Sequence, residues 1–159
     1  MTFANHRGVT PVLWVFCTLA ALEMGAVHLF LALKWPVLAW ALTALSALTI
    51  AWLLYWIASW RRLPHRLAGG VLTLHQGSLR RVELPLSTIA CVSAAVTGER
   101  LRDKGTVNLV PIAFPNRIVE LKQPGGRRGR TLRYAIRLDE PEAFDRALAA
   151  AGVAFPATA

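Results

Sequence analysis

Residues 20–33 read AALEMGAVHLFLAL. A glutamate and a histidine stand inside an otherwise apolar run, and the reading of that run decides the architecture. Moving outward, the apolar composition continues at both ends. Pro11 to Leu33 forms a stretch of 23 residues and Pro36 to Trp60 one of 25; residues 9–60 carry only two formal charges, Glu23 and Lys34. A helix needs about 20 apolar residues to cross the hydrocarbon core of a bilayer. Two such runs back to back exceed the habit of core helices in soluble domains. Thr10–Pro11 is a suitable helix start, a capping residue followed by proline in the first turn. Lys34, Trp35 and Pro36 leave room only for a tight turn. The segment therefore reads as a two-span transmembrane α-hairpin, 11–33 and 36–60, because open backbone would leave its polar groups without partners in lipid.

Aromatic residues mark both ends of this hairpin. Trp14, Trp52, Tyr55, Trp56 and Trp60 fall at the open end, Trp35 and Trp40 at the turn, as in the aromatic belts of membrane interfaces. A cleaved signal peptide fits less well. The first run is longer than the 7–15 residues of a signal core, and the small-x-small triplet Ala39–Trp40–Ala41 lies inside the second run. Arg7 precedes the first span and Arg61, Arg62 and Arg66 follow the second, against Lys34 alone at the turn. The positive-inside rule then places both termini in the cytoplasm of a multi-pass protein.

Glu23 lies near the middle of the first span, where a carboxylate costs on the order of 2.5–3.5 kcal/mol on insertion scales. His28 is five residues on, about 140° round the helix, so the two do not share a face. Folding the hairpin about residues 35–36 puts His28 level with Thr43 and Glu23 level with Leu48, flanked by Ser46 and Thr49. Thr43, Ser46 and Thr49 fall three apart on one drifting side. That hydroxyl side is expected to pack on the first helix and receive Glu23 or His28. Hydroxyl bonds between membrane helices contribute only about 0.6–2 kcal/mol. The deficit leaves a motive for another chain, a different membrane subunit or a second copy, to bind there. A proton relay, a small transporter or an enzyme subunit built on Glu23 and His28 is the rival reading.

The rest of the chain is ordinary in hydropathy but basic: residues 61–159 hold sixteen Lys/Arg against eight Asp/Glu. After the break at Leu63–Pro64 comes a linker to residue 70. Then VLTLHQ (71–76), LRRVEL (79–84), IACVSAAVT (89–97), TVNLVPI (106–112), RIVELKQ (117–123) and RTLRYAIRL (130–138) read as six strands, with turns at Gly77–Ser78, at 85–89, at the polar loop 98–105 and at PGGRRG (124–129). In the last strand Leu132, Tyr134, Ile136 and Leu138 alternate with polar residues, as in a half-buried antiparallel sheet. DEPEAFDRALAAAG (139–152) reads as a helix. Asp139 and Glu142 have capping-box spacing, Phe144, Leu148 and Ala151 lie on one stripe, and Gly152 is the stop. The first ten residues, MTFANHRGVT, read as a loose cytoplasmic segment and residues 153–159 as a tail.

Stretches GGVLTLHQGSLRRVELPLSTIACV, PNRIVELKQP and RYAIRLDEPEAFDRALAA, with the apolar hairpin before them, resemble bacterial pleckstrin-homology-like domain proteins with an N-terminal two-helix membrane anchor. The resemblance implies an α+β domain over 71–152 of antiparallel curved sheets capped by the C-terminal helix, and a place in the bacterial inner membrane. It also implies seven strands, so a seventh is expected within 64–70 or 98–105. It supplies no ligand, because fold alone does not fix function.

Little in the chain points to chemistry. His6, His28, His65 and His75 lack metal-ligand spacing, and there is no phosphate-binding glycine loop. Cys17 and Cys91 fall in different segments, so no disulfide, metal or other cofactor is expected. GGRRGR invites a nucleic-acid reading, but no aromatic stacking platform accompanies its arginines. Arg61, Arg62, Arg66, Arg127, Arg128 and Arg130 are instead candidates for contact with anionic lipid headgroups or an acidic partner, since basic residues beside such a surface gain about 1 kcal/mol each. The expectation is a non-enzymatic membrane adaptor or accessory subunit; the alternative is an anionic-lipid sensor on a membrane anchor.

Overall fold

The structure, a computed structural model, describes residues 1–110, 112–125 and 131–155. Strand β1 (Thr2–Phe3) leads into helices α1 (Thr10–Ala32) and α2 (Pro36–Arg62), followed by β2 (His65–Ala68), β3 (Val71–Gln76), β4 (Arg80–Pro85) and β5 (Ile89–Ser93). Helix α3 (Gly98–Arg102), β6 (Thr106–Asn108), β7 (Arg117–Gly125), β8 (Thr131–Ile136) and helix α4 (Pro141–Ala150) complete the order. The fold is mixed α/β: two long apolar helices, then two four-stranded sheets, β1-β2-β3-β4 and β5-β7-β8-β6, among the described residues.

Helices α1 and α2 lie side by side, joined by a turn in which the Lys34 and Trp35 amides both donate to the Leu31 carbonyl. Val9, not Thr10, is the cap residue of α1, and it offers no side-chain hydrogen bond. Only 6% of the most apolar stretch of each helix is buried, so neither is the core helix of a soluble domain. Leu22, Leu29, Phe30, Leu45 and Leu48 are all more than half exposed. Apolar surface on that scale belongs against lipid or another chain. Both helices are long and apolar enough to cross a membrane.

Three expectations about the chain ends and strand count change. The first ten residues are not loose. Thr2 and Phe3 pair with Arg66 and His65 of β2, the Met1 amino group donates to the Leu67 carbonyl at 2.9 Å, and Phe3 packs edge-on against Phe144, with ring centroids 5.0 Å apart. Residues 61–70 are not a plain linker, because β2 occupies 65–68, inside the 64–70 window where the resemblance implies a further strand. Within the loop 98–105, Gly98–Arg102 form the short helix α3.

The sheets also depart from the antiparallel expectation. β6 covers only 106–108 and pairs parallel with β8, Val107 opposite Tyr134. A parallel neighbour needs a long crossover, and the chain between β6 and β8 contains β7. β8 is not simply half wet. Ala135 and its cross-strand partner Ile118 are fully buried, as are Tyr134 and Val119 on the opposite face, while Leu132 at the start of the strand is exposed.

One core draws on both sheets and α4: Leu72, Leu74, Val92, Val119, Tyr134, Phe144 and Leu148, with Phe3 closing one side. Phe144 and Leu148 are buried as the stripe requires, but Ala151 is exposed and Val153 takes its place in the core. Asp139 is not the N-cap of α4. The cap is Glu140, without a side-chain bond, and the Asp139 carboxylate accepts backbone N–H bonds from His6 and Arg7 at 3.0–3.2 Å. The short acidic side chain satisfies donors of the N-terminal segment rather than those of its own helix.

Candidate functional site

The hairpin groove comes first. His28 and Thr43 face each other, with Nδ1 2.7 Å from Oγ1, and the His28 ring packs edge-on against Trp40 at 5.1 Å. One helical level further from the turn, a groove of about 360 Å³ opens between α1 and α2, lined by Ala20, Glu23, Met24, Thr43, Ser46 and Thr49 among others. Glu23 is exposed and has no hydrogen-bond or ion-pair partner among the described residues. Thr49 directs its hydroxyl to the Leu45 carbonyl of its own helix at 3.0 Å. The structure therefore brings Glu23, Thr43, Ser46 and Thr49 to one groove and joins His28 to Thr43. It leaves the carboxylate without a bond from the described residues.

A second constellation sits where the hairpin meets the sheets. The aromatic-belt reading treats Trp52, Tyr55, Trp56 and Trp60 alike, and the structure separates them. Trp52 and Tyr55 are exposed, whereas Trp56 and Trp60 are buried with Val9, Leu13, Cys17, Ile57 and Val110. Ser59 Oγ donates to the Trp56 carbonyl at 2.6 Å and accepts the Ser78 amide N–H at 2.9 Å, tying α2 to the β3–β4 turn. The turn residue Gly77 has φ +50°, and a Cβ there would lie 2.6 Å from Ser59 Oγ and 3.0 Å from the Nε1 atoms of both Trp56 and Trp60. The spacing of 52, 56 and 60, one face of a helix, was visible in the sequence; which members turn inward depends on the turn that covers them.

His65, at the start of β2, is fully buried. The His75 amide N–H donates to its Nδ1 at 3.1 Å, which puts the neutral ring's proton on Nε2; Asn5 Nδ2, 3.4 Å from that nitrogen, is itself a donor and directs its N–H to the His75 carbonyl at 3.4 Å. Burial first, and then the charge of His75, lowers the His65 pKa from 6.5 to about 3. The unfolded chain therefore binds a proton that the folded one refuses between about pH 6.5 and 3. The contribution is fully present above that window and is lost as pH falls through it, at up to about 1.4 kcal/mol per pH unit. In denaturant unfolding of the full chain in detergent, the wild type should lose more stability than His65→Asn between pH 7 and pH 4.5. Parallel losses in the two proteins would contradict the assignment.

Arg61 and Arg62 form the last turn of α2 and Arg66 lies on β2; all three are exposed. Arg127, Arg128 and Arg130 lie outside the described residues. At residues 98–105 Arg100 pairs with Glu120 at 2.7 Å and Asp103 with Arg133 of β8 at 2.6 Å, so part of the basic charge there is neutralised internally. Arg117 grips the Asp145 carboxylate through Nε and Nη2 at 2.6–3.1 Å, holding β7 to α4. Both cysteines are free. Burial, then the Glu120 charge, push the Cys91 thiol up against the opposing pull of Arg100, the reverse of an activated nucleophile. Among the described residues no group of three or more His, Cys, Asp or Glu side chains is placed to hold a metal ion. No family model, curated protein or solved structure matches the chain.

Proposed function

We propose that the chain is a membrane-anchored, non-catalytic adaptor. Its helical hairpin spans the membrane and receives a helix of another membrane subunit, while the basic sheet domain works on the cytoplasmic side. The observation that carries this reading is Glu23: an acidic side chain in a groove between two lipid-length helices, with no partner among the described residues. A carboxylate at that depth costs on the order of 2.5–3.5 kcal/mol, which a donor from a second chain offsets. The placement of Arg7, Arg61, Arg62 and Arg66 supports cytoplasmic termini. Seven strands from His65 to Ile136, followed by α4, support the likeness to pleckstrin-homology-like domains of bacterial inner-membrane proteins; the parallel β6–β8 contact departs from it.

Glu23→Leu combined with Ser46→Leu tests the groove. Extracted from its own membranes in mild detergent, the wild-type chain should travel in an assembly heavier than its 17.4 kDa. The double variant should be released as monomer, with association weakened at least about tenfold, while membrane retention stays equal or improves because a costly polar group is gone. A wild type that is monomeric both in mild detergent and after cross-linking in intact membranes would end the adaptor reading.

A further inference from the structure

Separate from the hairpin groove, a cleft of about 750 Å³ opens between the N-terminal strand, the end of α2 and helix α4. That volume is within the roughly 300–1,000 Å³ of small-ligand sites. Its floor is apolar, built by Phe3, Trp60, Ala143, Ala147 and Ala150, and two arginines from distant parts of the chain share its lining: Arg61 from the last turn of α2 and Arg146 from α4. Neither makes an ion pair among the described residues, although four other arginines (Arg81, Arg100, Arg117 and Arg133) do. Glu140 also lines the cleft and pairs with neither of them; His6 is turned to Asp139, 3.4 Å away. Trp60 and Arg61 lie in the last turn of the second lipid-length helix; with that helix spanning as proposed above, the mouth of the cleft lies at headgroup depth.

We infer that this cleft binds the headgroup of an anionic glycerophospholipid. Arg61 and Arg146 take the phosphate, and the apolar floor takes the glycerol and the first methylenes. Guanidinium forks match phosphate oxygens, and an unpaired arginine beside an apolar surface at the inner leaflet has no better counter-ion than a lipid phosphate. A free phosphate ion would use the arginines and leave the floor idle. The inference rests on the hairpin being membrane-spanning, but not on the adaptor role.

The test uses the purified full chain in a non-ionic detergent, titrated with phosphatidylglycerol, phosphatidylcholine or inorganic phosphate, and read by native mass spectrometry and thermal melting. Phosphatidylglycerol should remain bound at one equivalent and raise the melting temperature; phosphatidylcholine and inorganic phosphate should do neither. Arg61→Ala with Arg146→Ala should weaken retention at least about tenfold. Arg102→Ala with Lys104→Ala, an equal charge loss outside the cleft, should leave it unchanged. Ala150→Trp, at an exposed position on the cleft wall, should block binding without altering charge. Equal binding of the two lipids, wild-type affinity in the double arginine variant, or equal stabilisation by inorganic phosphate would each overturn the inference. Alkaline extraction of membranes separates the two failures: a chain that stays in the pellet yet binds both lipids alike sinks the cleft alone, and a chain released to the supernatant sinks its membrane premise.

Discussion

Gly77→Ala should loosen the sheets from the helical hairpin, at a cost of about 2–5 kcal/mol. Two separate effects combine. At φ +50° an L side chain is strained, by roughly 1–2 kcal/mol. The added methyl would also sit 2.6 Å from Ser59 Oγ and 3.0 Å from two buried indole nitrogens, and overpacking of that kind costs about 1–3 kcal/mol. Gly69 is the internal control, with φ +57° and nothing within 4 Å of its would-be Cβ. Gly69→Ala should therefore show the strain alone. Denaturant unfolding of both variants in detergent separates the effects, and proteolysis near residues 62–66 should accelerate only in Gly77→Ala. Equal losses in the two variants would mean that the turn does not bear on α2.

Phe144→Ala should be the most damaging change within the sheets, about 3–5 kcal/mol. The ring is fully buried, touches the core shared by both sheets and meets Phe3 edge-on. A domain of this size loses roughly 4–8 °C in melting temperature per kcal/mol, so a fall of more than 12 °C is expected. The Phe3 pairing adds a sharper test. In a double-mutant cycle, Phe3→Ala and Phe144→Ala should couple by about 0.5–1.5 kcal/mol, the range for aromatic pairs. Amide exchange in residues 2–7 should speed up in Phe144→Ala. Strict additivity would show that the N-terminal strand is held by its pairing with β2 and by Asp139 rather than by the aromatic contact.

Hydropathy made α1, α2 and their turn legible because an all-apolar stretch of lipid length has few alternatives. Most of β3, β4, β7 and β8 were legible through their β-branched and alternating residues. β2 was not, since HRLA contains a histidine and an arginine, and His65 is buried only because His75 and Asn5 come to its ring. β1 is two residues long and exists through its partner. Asp139 had the spacing of a cap, but two backbone N–H groups from more than 130 residues away compete for its carboxylate. In the hairpin, simple folding about the turn set His28 level with Thr43, whereas the missing partner of Glu23 shows only once side chains have places. Arg146 gave no signal of its own, being an ordinary exposed residue of an amphipathic helix until Arg61 lies across the same cleft.

By itself, the sequence determined the two apolar helices and most of the strands, because those follow from local composition and period. Only the tertiary structure decided which tryptophans face inward, which strand β6 joins, where Asp139 spends its carboxylate and which arginines line one cleft. Each of those depends on groups far apart along the chain, whose pairing is chosen by burial and by the need to satisfy polar atoms, and neither is written in any single window of residues.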